Sequence, residues 1–176
     1  MDHSHHDHYE IIKPVSNAKE YSKLAGIFIF LAISALGPST IAGFDISEWM
    51  RWFMGGFFII FGSFKLIGYE MFIMMFPSYD ILAKKYKIYT WVYPFIEVFL
   101  GVLFVLNLLD TFRDITTVLI MGIGSFGILR AIKQQGTIQC ACLGNIIRLP
   151  LSTVTLVEDG LMLAMALMLL ISSIFG

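Results

Sequence analysis

Long apolar runs broken by short polar stretches set the pattern of this chain. Five runs approach the roughly 20 residues that a helix needs to cross a hydrocarbon core of about 30 Å. They cover Leu24–Gly43, Trp49–Gly68, Tyr89–Leu109, Ile115–Ile132 and Leu151–Phe175. Each predicts a membrane-spanning helix, because in lipid a lone segment can satisfy its backbone groups only as a helix. Pro38 falls near the end of the first run, and Trp49 and Trp52 open the second where interface anchors sit. Between the second and third runs, "YEMFIMMFPSYDILAKKYKI" is apolar in front and basic behind. It predicts a short interfacial helix at Tyr69–Met75 and a further turn or two at Ser78–Lys87. The pattern therefore predicts an all-α polytopic bundle, with residues 1–22 as a polar tail and 23–176 as the membrane domain.

Composition agrees. Of 176 residues, 57% are hydrophobic and 14% charged, against about 25% charged in a soluble domain. The net charge of −1 argues for no nucleic-acid partner. The partner that composition implies is the lipid bilayer, with the bacterial inner membrane as the expected location. The N-terminus lacks the basic start and early apolar core of a cleaved signal peptide. Lys13, Lys19, Lys23, Lys84, Lys85, Lys87, Lys133 and Arg148 lie in the tail and in two connectors. The other connectors offer only Arg51 and Arg113. Positive-inside bias then predicts N-terminus in and C-terminus out, with the connector after the fourth span in the cytoplasm.

That connector holds "TIQCACLGN" and both cysteines of the chain, Cys140 and Cys142. Two thiolates at i and i+2 can turn towards one soft ion, and Cu(I) accepts so few ligands. The same pair could instead cycle between dithiol and a strained, labile disulfide. A third reading gives the pair no chemistry. All four histidines, His3, His5, His6 and His8, crowd the tail, a composition that binds transition metals. By the predicted topology they share a face with the cysteines. Met71, Met74, Met75, Met162, Met165 and Met168 offer thioethers for Cu(I), or serve as core filler. Charged groups inside the runs form a further set: Lys65, Glu97, Arg130, Glu158 and Asp159. Such groups face the bundle interior, as a proton or cation path or as internal pairs such as Lys65–Glu97 or Arg130–Glu158. Glycines at 55, 56, 62 and 68, and at 122, 124 and 127, predict close helix packing.

"GSFKLIG", "YDILAKKYKIYTWVYPFIEVFLGVLFVL" and "ILRAIKQQGTIQCACLGN" together resemble the MauE/DoxX-like membrane proteins. The resemblance runs from about Trp49 to Phe175 and implies a four-helix core, with the first run as an extra helix. In MauE-like members the loop before the last helix carries a Cys-x-Cys-Phe-Gly motif; here Leu143 replaces Phe. Those members are associated with thiol redox, which would make Cys140 and Cys142 the catalytic pair of a thiol–disulfide oxidoreductase. "LPLSTVTLVEDGLMLAMALMLL" is closer to a branch linked to heavy-metal-associated domains; here the His-rich tail takes that domain's place. The sequence thus favours a membrane protein that binds and moves or hands over a soft metal ion, above all copper. Thiol redox or a structural role in a membrane complex are the alternatives. A soluble metallochaperone, a thiol-redox partner or a second copy of the chain would be the expected associates.

Overall fold

A computed structural model describes residues 17–41, 43–135 and 151–175. Among these the chain is all helical. Helices α1 (Asn17–Ser39), α2 (Ile46–Ile67), α5 (Lys87–Leu106), α6 (Asp110–Gln135) and α7 (Leu151–Phe175) each contain a span apolar and long enough to cross a membrane. Two short helices, α3 (Tyr69–Met75) and α4 (Ile81–Lys85), flank a 3-10 turn at Phe76–Ser78 in the connector between α2 and α5.

Local chemistry sets the helix ends. Asp45 caps α2 by accepting from the Ser47 N–H, and Asp80 caps α4 by accepting from Ala83 N–H at 2.8 Å. Asn107 ends α5 in the left-handed conformation, with φ 53°, and its N–H reaches back to the carbonyls of Leu103 and Phe104.

The bundle is built from two tightly packed antiparallel pairs, α2 with α5 and α6 with α7; α1 packs on α2. Glycine makes the first pairing possible. A Cβ on Gly101 would stand 2.9 Å from the backbone N of Ile59, and one on Gly62 would stand 2.8 Å from Val98 Cγ2. Such close approach is what small residues at membrane helix interfaces allow. In α6 the expected glycine seam is uneven. Gly127 abuts the Tyr79 carbonyl, whereas among the described residues nothing lies near Gly122.

Aromatic rings fill the middle of the bundle. Phe57, Phe58, Phe61, Leu100, Phe104 and Met162 are buried together, and Phe57 stacks on Phe61 with ring centroids 4.2 Å apart. Ile29, Phe30, Ile33, Phe95, Phe99, Leu119 and Phe126 point outward, as lipid-facing residues do. The antiparallel order gives the bundle two ends. The loop end gathers the starts of α5 and α7 and the ends of α2 and α6. The far end gathers the opposite termini.

Candidate functional site

Among the described residues two polar clusters interrupt the apolar interior, one towards each end. The first lies in the loop half. Lys65 on the last turn of α2 makes an ion pair with Glu97 of α5. Its ammonium also stands 5.0 Å from the centroid of the Tyr93 ring, a cation–π contact. Glu158 and Asp159 of α7 approach from the other side. These four side chains, with Tyr79 and Tyr93, line a cavity of about 20 Å³, room for one water molecule. Glycine shapes its wall: a Cβ on Gly124 of α6 would stand 3.1 Å from Asp159 Oδ2.

The charges there do not balance. Among the described residues three carboxyl groups face one ammonium. Among the described residues Glu97 Oε2 and Glu158 Oε1 are buried without a hydrogen-bond partner, and only 2% of Glu97 and 3% of Glu158 is exposed. Towards the loop end, Asp80 Oδ2 and the Tyr89 hydroxyl are also buried and, among the described residues, unpartnered. Burial, and then the nearby Asp159 and Asp80, push the Tyr79 phenol well above its ordinary value. Burial likewise raises the Asp80 carboxyl, against the opposing pull of the Ala83 and Leu82 N–H groups.

The second cluster lies at the far end, and there each charged group has a partner of opposite charge. Arg51 donates from Nη1 to the Phe104 carbonyl at 2.6 Å and pairs through Nη2 with Glu48. Arg113 donates from Nε to Asp114 at 2.8 Å and from Nη1 to Asp110 at 2.9 Å. Its guanidinium also lies 4.4 Å from the centroid of the Phe104 ring. These groups border a polar cavity of about 250 Å³ that also touches Ser172 and Ser173.

The structure therefore brings Lys65, Glu97, Glu158 and Asp159 together. Arg130 stands apart: it is exposed at the loop end of α6, and no ion pair joins it to Glu158 among the described residues. It snorkels, as long basic side chains near helix ends do. The methionines divide. Met162 and Met165 are buried core residues, Met74 and Met168 are exposed, and Met71 and Met75 are half-buried. Among the described residues no group of three or more His, Cys, Asp or Glu side chains is placed to hold a metal ion. Cys140, Cys142 and the four tail histidines lie outside the described residues.

The sequence reading passed over the far cluster because Arg51 and Arg113 look like connector charges. Their spacing was the available signal: Glu48 with Arg51 and Asp110 with Arg113 each lie three residues apart on one helix face. It also missed Tyr79 and Asp80, hidden in a connector whose return against α6 only the fold reveals.

The family description "Methylamine utilisation protein MauE" matches residues 44–172. That segment contains α2 to α6 and nearly all of α7, and leaves out the tail, the whole of α1 and the last residues. The chain belongs to the MauE family. No curated protein and no solved structure matches it. The match takes in both polar clusters and both cysteines, so neither is an appendage to the family's core.

Proposed function

We propose that this MauE-family membrane protein receives a soft metal ion, above all Cu(I), at Cys140 and Cys142 and hands it to a partner at one membrane face. The observation that carries the reading is the placement of free positive charge. Lys84, Lys85, Lys87, Arg130 and Lys133 are exposed around the loop end. At the far end Arg51 and Arg113 are buried and tied to Glu48, Asp110 and Asp114. Positive-inside bias, which counts Lys and Arg near the span ends, favours a cytoplasmic loop end. In that reducing compartment the cysteines stay as thiols, the form that captures soft ions. Binding deprotonates them, so uptake of the ion releases protons. The tail precedes α1 at the same end, where its histidines would raise the local supply of cargo. The stacked core of Phe57, Phe58, Phe61 and Phe104 between the two polar clusters favours handover at a face over passage through one bundle. A soluble metallochaperone is the fitting partner.

The test is copper content after Cu(I) loading under reducing conditions, wild type beside Cys140→Ser/Cys142→Ser. A stoichiometric ion lost in the double variant supports the reading; equal retention by both proteins overturns it.

A second reading has its own support, because the family match includes the cysteine pair. A Cys140–Cys142 disulfide would be attacked by a thiolate of a partner dithiol. Two electrons then pass to this chain, whose sulfurs take up two protons, and the partner leaves oxidised. A mixed disulfide trapped with Cys140→Ser or Cys142→Ser, together with no copper retention, favours this reading.

A further inference from the structure

We propose that the cavity enclosed by Lys65, Glu97, Glu158 and Asp159 is an intramembrane proton-binding site, in which Glu158 and Asp159 take up the protons and Glu97 remains the anionic partner of Lys65. The geometry assigns the roles. Lys65 contacts Glu97, so that pair is neutral as a unit. No second cation reaches the cavity among the described residues: Lys65, Tyr79, Tyr93, Glu97, Glu158 and Asp159 are its titratable lining, with Asp80 behind Tyr79. The α6 wall supplies only uncharged Met121 and Gly124. Glu158 is buried and Asp159 half-buried, and two surplus carboxylates so placed would carry a heavy desolvation cost. A proton bonded to a carboxylate oxygen cancels that charge where it arises, and the resulting O–H can donate into the cavity. The unpartnered, buried Glu158 Oε1 and Glu97 Oε2 supply acceptors on opposite walls.

A metal cation fits less well. It demands several converging oxygen donors, and the described carboxyl groups form no such set. The cavity volume of about 20 Å³ suits a single water molecule that could relay a proton between acids.

Position gives the site its use. Glu158 stands seven residues into α7, which is roughly 10 Å along the helix axis from Leu151. The site is therefore a proton reserve just beneath the face where thiols would release protons on metal capture. That last link rests on the metal reading above; the site itself does not.

The experiment uses the full chain in lipid, free of copper, so a failed metal reading leaves its outcome untouched. Infrared spectra in H2O and D2O would look for the carbonyl band of a protonated carboxyl group. At neutral pH the wild type should show a deuterium-sensitive band that falls at alkaline pH. Glu158→Gln and Asp159→Asn should each remove part of it, and the double variant all of it. Glu158→Gln should also unfold at a temperature close to that of wild type, because glutamine has the shape of the neutral acid. No such band at neutral pH, or a band unchanged in both single variants, overturns the proposal. So does a bound metal ion found in place of the band. Failure of Glu158→Gln to fold counts against it as well, since that outcome marks Glu158 as an indispensable anion.

Discussion

At the far end of the bundle, Arg113 is buried with Asp114 and Asp110 in contact, and Arg51 has Glu48 and the Phe104 carbonyl. In the loop half, Lys65 has Glu97, but Glu158 Oε1 and Glu97 Oε2 have no partner among the described residues. Both clusters hold charged residues inside a membrane bundle, and both violate the ordinary avoidance of charge there. They differ in completeness. A cluster in which each guanidinium meets carboxylates and carbonyls fixes the packing of α2, α5 and α6 and asks for no ligand. A cluster left with spare acceptors and surplus acid invites a proton. Buried charge alone therefore does not mark a working site in a membrane protein; unsatisfied buried charge does.

The largest expected effect tests the satisfied cluster. Arg113→Met leaves Asp114, 1% exposed, without its cation. Removing one partner of a buried pair typically costs about 3–5 kcal/mol. Unfolding in detergent micelles, followed by circular dichroism, should show a loss of that size. Glu97→Gln should cost a similar amount by stranding Lys65, whereas Glu158→Gln should cost about 1 kcal/mol or less, within the range of an ordinary substitution. Equal losses for Glu97→Gln and Glu158→Gln would erase the difference between paired and surplus acid.

Next in size is the seam that brings Lys65 and Glu97 within reach. A Cβ on Gly101 would stand 2.9 Å from Ile59 N and 3.0 Å from the Gly55 carbonyl oxygen, and backbone cannot swing aside as a side chain can. Gly101→Ala should destabilise by about 1–3 kcal/mol, the usual cost of overpacking. Gly122→Ala, with nothing near its Cβ, is the control and should be neutral or mildly stabilising. If the two alanines behave alike, α2 and α5 are not held at glycine distance.

The fold class was legible because lipid imposes a simple rule: runs of about 20 apolar residues become helices. The membership of the loop-half cluster was legible too, since Lys65, Glu97, Glu158 and Asp159 interrupt such runs. Their pairing was not. Lys65–Glu97 and Arg130–Glu158 are equally reasonable from sequence, and only the antiparallel register of α2 against α5 decides for the first. Arg130 illustrates the limit, because a base at a helix end looks buried in a hydropathy plot and yet reaches the surface. The far cluster was illegible because its arginines sit where helices begin, and their burial depends on how α5, α6 and α7 close over them.

The smallest effect separates the loop-half cluster from its connector. Asp80 is buried, 2% exposed, with Oδ1 on the Ala83 N–H and Oδ2 unpartnered among the described residues. Burial raises its carboxyl above the ordinary value. The folded protein therefore holds a proton on Asp80 more tightly than the unfolded chain does. Its contribution to stability is full below the unfolded value, about 3.9, and is lost as pH rises through the higher folded value. Asp80→Asn keeps an oxygen for the Ala83 N–H, and asparagine caps helices about as well as aspartate. The variant should thus match wild type to within about 1 kcal/mol in acid and gain on it as pH rises towards neutral. The quantity to measure is the difference between the two unfolding curves across that range, since other acids add to both alike. A difference flat with pH would show that water reaches Asp80, and the satisfied and unsatisfied regions would then divide at Tyr79 instead of extending out to the connector.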